Sequence, residues 1–134
     1  MAHYYTNGIG AVGSYQVAGV PYLTGSTIAP GQEHKIEFPT VAKSVLVINK
    51  DTDSSQSELQ VHFNSQTDGA VVSGRHYFPL DDQKDSISFN VKCKEIYISA
   101  PGTGAGNSRY FLVAELTGIA TTQMFNLTGS GLTD

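Results

Sequence analysis

Asp51, Asp53, Ser55 and Ser57 recur at alternate positions, the spacing at which a calcium loop presents its oxygen ligands. Such a loop needs a glycine for its sharp turn and a closing bidentate glutamate, but Gln56 and His62 occupy those places. An EF-hand is therefore excluded. Asp81, Asp82 and Asp85 form a second acidic group with two readings, a calcium site in a sandwich loop and a solvated turn, and the turn is favoured because Lys84 among them opposes a cation. His3, His34, His62 and His76 never fall at the H-x-x-x-H spacing that brings two imidazoles to one metal. His62 and His76 are expected on the wet side of neighbouring strands. Cys93 is the only cysteine, so no intrachain disulfide can form, and its place in NVKCKEIYI reads as a packed thiol. GTGAG at 102–106 lacks the Lys-Ser/Thr of a phosphate loop, and no G-x-S-x-G elbow occurs. No catalytic residue, cofactor or metal ligand is assigned, and the chain is expected not to be an enzyme.

The segments that would position these side chains read as strands. Leu59, Val61 and Phe63 alternate with Gln60, His62 and Asn64, and Ile87, Phe89 and Val91 alternate with Ser86, Ser88 and Asn90. This period of two marks strands with one buried face. SVLVIN (44–49), EIYIS (95–99), His34–Phe38 and Arg75–Phe78 supply further strands. RYFLVAEL (109–116) is apolar on both faces apart from Arg109 and Glu115, which predicts a central strand. Pro30-Gly31, Pro39, Asp68-Gly69 and PGTGAGNS (101–108) separate these runs. The expected fold is all-β, an antiparallel two-sheet sandwich with the jelly roll as one form it can take. It forms a single domain, with a neutral N-terminal arm and first strands at 1–32 and the sandwich body at 33–134.

Charge is distributed unevenly. The chain carries 12 acidic and 8 basic residues, net −4, and the bases are scattered, which argues against a nucleic-acid surface. No apolar run approaches the ~20 residues of a membrane span, and MAHYYTNGIG lacks the pattern of a signal peptide. Residues 1–32 contain no charged side chain, whereas average composition would place about 8 there. Every charge except Asp134 lies between Glu33 and Glu115. Loss of charge together with aromatic enrichment characterises the buried parts of interfaces. Tyr4, Tyr5, Tyr15 and Tyr22 at one end, and Met124 and Phe125 at the other, are accordingly the candidate interface residues. An arm that adds a strand to a neighbour would use backbone pairing and need no charge.

GRHYFPLDDQKDSISFNVKCKEIYISAPG (74–102), followed by SRYFLVAELTGI (108–119), resembles the small β-sandwich proteins of tailed-phage virions. That resemblance implies a structural role in the virion, as a capsid decoration or cement protein held by copies of itself and by a major virion protein. A tail or baseplate component that binds a host receptor or glycan is the alternative it implies.

Overall fold

A computed structural model of the chain describes residues 20–50, 58–65, 76–82, 84–100, 106–129 and 131–132. Among these residues seven strands follow in order: β1 (Val20–Ile28), β2 (Glu33–Asn49), β3 (Leu59–His62), β4 (Phe78–Leu80), β5 (Ser86–Phe89), β6 (Cys93–Ser99) and β7 (Ser108–Ala120). Apart from one 3₁₀ turn at Thr121–Gln123, no helix occurs among the described residues, so none there could cross a membrane. The all-β, antiparallel expectation is met.

The hydrogen bonds build one sheet where two were expected. Its order is β1-β7-β2-β6-β3-β4, with β5 paired to β2, and among the described residues it does not close on itself. The reason lies in β2. His34–Phe38 and Ser44–Asn49 were expected as separate strands broken at Pro39, yet they join into one strand of 17 residues. Its first part pairs with β6 from Glu33 to Glu37, and its last part pairs with both β7 and β5 from Val45 to Ile48. Pro39 sits where the β6 register slips, between Glu37 and Ala42, so its missing N–H removes no ladder bond. Buried Thr117 braces this corner: its hydroxyl donates to the Val41 carbonyl at 2.7 Å and accepts from the Ile119 N–H at 3.2 Å.

The sheet curls strongly. Asn49 Nδ2 in β2 donates to the Leu80 carbonyl in β4 at 3.1 Å. These strands stand three ladders apart, which at ~4.8 Å per ladder would separate them by about 14 Å in a flat sheet. Phe78 and Phe63, from the β3–β4 side, likewise meet Phe89 of β5 edge-to-face at ring-centroid distances of 6.1 and 5.3 Å. Curling lets one core serve most of the sheet, with Ile36, Val47, Leu59, Ile98 and Leu112 buried in a single cluster. β7 shows the underlying alternation, with Tyr110, Leu112, Ala114 and Leu116 buried and Arg109, Phe111 and Glu115 exposed.

Candidate functional site

Of the six expected interface residues, three are described. Tyr22 is half-buried in β1, edge-to-face with Phe38 at 5.5 Å. Met124 is buried within the chain itself, in a small cluster with Val41 and Ile119. Phe125, next to it, is 65% exposed. Tyr4, Tyr5 and Tyr15, and the arm at 1–13, lie outside the described residues. β1 runs unbroken through Pro21 and pairs with β7 at nine positions, so residues 20–28 belong to the sheet. A proline is tolerated there because β1, among the described residues, pairs on one side only.

The registers assemble a surface that sequence reasoning did not single out. Residues paired across a ladder share a face, so Leu23, Val113 and Leu46 form one outward row and Gly25, Phe111 and Ile48 the next. Leu23 is 62% and Phe111 37% exposed, and Val113, Leu46 and Ile48 are half-buried. Arg109 and Glu115 bound this apolar strip on β7, and Lys43 reaches Glu115 at 3.5 Å. The signal in the sequence was RYFLVAEL, apolar on both faces. That pattern predicts a central strand, and β7 is central in the sheet, with Phe111 exposed on its outer side.

A second group lies on the outer side of β6 and β3. The Asn64 carbonyl accepts from His62 Nδ1–H, which leaves Nε2 to accept from the Ser99 hydroxyl. Glu33 Oε1 stands 3.7 Å from the same Nε2, and the Ser65 hydroxyl donates to Glu33 Oε2 at 2.7 Å. Tyr97 stacks on the imidazole with centroids 5.7 Å apart. The order of hydroxyl, imidazole and orienting acceptor is that of an activated nucleophile. Ser99 is only 3% and His62 1% exposed, however, so a substrate has no approach and the pair ties β3 to β6. His62 was expected to face solvent. The C-terminal segment is bound over this side of the sheet, with Asn64 Nδ2 donating to the Leu127 carbonyl at 2.8 Å. Burial, the largest influence, holds the imidazole below its ordinary value of 6.5 and so keeps it neutral.

Beside this group opens a polar groove of about 740 Å³, lined among others by Lys35, Glu37, Lys94, Glu95, Tyr97 and Asn126. Lys35 bridges Glu37 and Glu95, each at 3.1 Å, and these carboxylates raise its ammonium above the usual lysine range. The acidic residues at 81–85 close on themselves: Asp85 Oδ2 accepts from the Asp82 N–H at 3.0 Å, and Lys84 adopts a positive φ of 70°. Among the described residues no three His, Cys, Asp or Glu side chains converge as a metal site. Buried Cys93 has its thiol pushed up to about 12, chiefly by desolvation.

No protein-family model, curated protein or solved structure gives a significant match to this chain.

Proposed function

We propose that the chain is a non-enzymatic structural protein of a tailed-phage virion, a capsid decoration or cement protein that bridges subunits and associates with its own copies. The observation that carries this reading is the charge-free first quarter leading into β1, a neutral nine-residue strand whose Val20 and Leu23 stand exposed. Among the described residues β1 is an edge strand, and it carries Pro21 but no lysine or other charge, the commoner guard of an edge that works alone. Neutral backbone and apolar side chains suit contacts that become covered on assembly. On this reading the two halves of the curled sheet, hinged at the β2 bulge, act as the facing layers of a sandwich, and a jelly-roll arrangement is its finer form. The major capsid protein or another virion protein is the partner, and neither nucleic acid nor membrane takes part.

Particle composition tests the proposal. Purified virions from the source of the chain should contain the protein in fixed ratio to the shell protein, and shells stripped of it should disrupt at lower temperature. Intact particles devoid of the protein would overturn the reading. The groove beside Tyr97 and Asn126 favours the second reading, a tail or baseplate protein binding a host glycan, because it offers several hydrogen-bonding side chains in one concavity. Glycan-array binding by the purified chain, abolished by Asn126→Ala, would transfer weight to that reading.

A further inference from the structure

We propose that the outer face of β1, β7 and β2 docks a second copy of this chain through a two-fold axis lying across the strands at Leu112. This rests on the reading that the chain associates with its own copies, and it adds the surface and the symmetry.

The face is apolar where a partner would sit and charged only at its ends. Along β7 the outward side chains run Arg109, Phe111, Val113, Glu115. Two sheets meeting face to face through an in-plane two-fold axis have two extreme arrangements. An axis along the strands sets Arg109 on the partner's Arg109 and Glu115 on the partner's Glu115, and both pairs repel. An axis across the strands reverses β7 against its copy, so Arg109 meets the partner's Glu115 and the same pair recurs on the other side. The charge order selects the second arrangement.

Shape follows the same choice. Reversal lays the row of Leu23, Val113 and Leu46 over the partner's row of Gly25, Phe111 and Ile48. Leu23, 62% exposed, then projects onto the partner's Phe111 ring where that ring overlies Gly25, so apolar side chain meets apolar side chain. On β5 the flanking positions are Ser86 and Ser88, both exposed, which gives the patch a polar margin. The apolar side chains fill two rows ~6.8 Å apart on three strands at ~4.8 Å spacing, roughly 200 Å², and the polar margin and charged ends bring the whole face to roughly 400 Å². A standard stable interface takes about 800 Å² per partner, so the pairing is a weak, concentration-dependent one that a virion lattice would reinforce.

Sedimentation velocity of the full chain across a wide concentration range is the test. The wild type should pass from monomer to dimer as concentration rises. Leu23→Glu should remain monomeric with an unchanged melting temperature, because position 23 is exposed on an outer strand. Arg109→Glu and Glu115→Arg should each weaken association by about tenfold, and the double exchange should recover most of the loss. A wild type that stays monomeric, a dimer indifferent to Leu23→Glu, or a double exchange no better than the single ones would each overturn the inference. A monomer that loses binding to shells on Leu23→Glu would assign the face to a different virion protein and likewise overturn it. A monomer that copurifies with particles defeats this inference alone, whereas a dimer absent from particles defeats the virion reading alone.

Discussion

Gly25 and Phe111 face each other across the β1–β7 ladder, and the Phe111 ring lies where a side chain at position 25 would begin. A Cβ there would fall 2.9 Å from the Tyr110 carbonyl oxygen and 3.2 Å from Phe111 Cδ2. The aromatic ring covers the bare backbone of its cross-strand neighbour, and the pair forms part of the outer apolar face.

Replacing Gly25 with alanine ordinarily favours a strand, since glycine loses more backbone freedom on folding. Here the contact is with backbone and cannot be turned aside. Gly25→Ala should lower unfolding stability by about 1–3 kcal/mol, as overpacking does. Adding Phe111→Ala should relieve only part of that loss, because the Tyr110 carbonyl remains. Urea unfolding of the single and double variants measures both.

The bond from Asn49 to the Leu80 carbonyl holds the curl of the sheet. Asn49→Ala would leave a buried carbonyl short of this donor, at a cost of about 1–3 kcal/mol. The effect should appear as a lower urea midpoint, and aromatic signals from Phe78 and Phe89 should report the loosened seam where β4 approaches β5.

His62 makes stability depend on pH. Its folded-state value lies below the ordinary 6.5, so as pH falls through 6.5 the unfolded chain gains a proton that the folded chain does not. The contribution is fully present above 6.5 and is lost progressively below it, by up to about 1.4 kcal/mol per pH unit. His62→Gln removes the titration and should flatten this slope between about pH 7 and about pH 5, even where the variant starts less stable. Urea midpoints across that range decide it. An equal slope in wild type and variant would assign the dependence to other groups.

Cys93 should resist thiol reagents in the folded protein. Its thiol is buried and held protonated, and the thiolate is the reactive species. Reaction with a disulfide reagent should be negligible in native buffer and complete in denaturant. Rapid native labelling would contradict the placement of Cys93 in the core.

Much of the sheet was legible from alternation alone. Ile87 and Phe89 in β5, Leu59 and Val61 in β3, and Ile96 and Ile98 in β6 point inward as their spacing requires. The central position of β7 was legible too, from its double-sided apolar character. The candidate surface was not, because the same pattern describes a strand covered on both sides and a strand with one apolar face left open. Nor was the group at His62, since Glu33, His62 and Ser99 meet only where three strands lie side by side in register.

Side-chain alternation, the neutral first quarter and the confinement of every charge but Asp134 to 33–115 are properties of the chain read locally, and they determined an antiparallel β protein with few signs of catalysis. Tertiary structure decided that the described strands join in one sheet. Register slips let β2 continue past Pro39, and pairing between distant segments curled the sheet until Asn49 reached Leu80. A period of two assigns a residue to a face; which neighbours share that face, and whether anything covers it, depends on strand order and register, which no local pattern encodes.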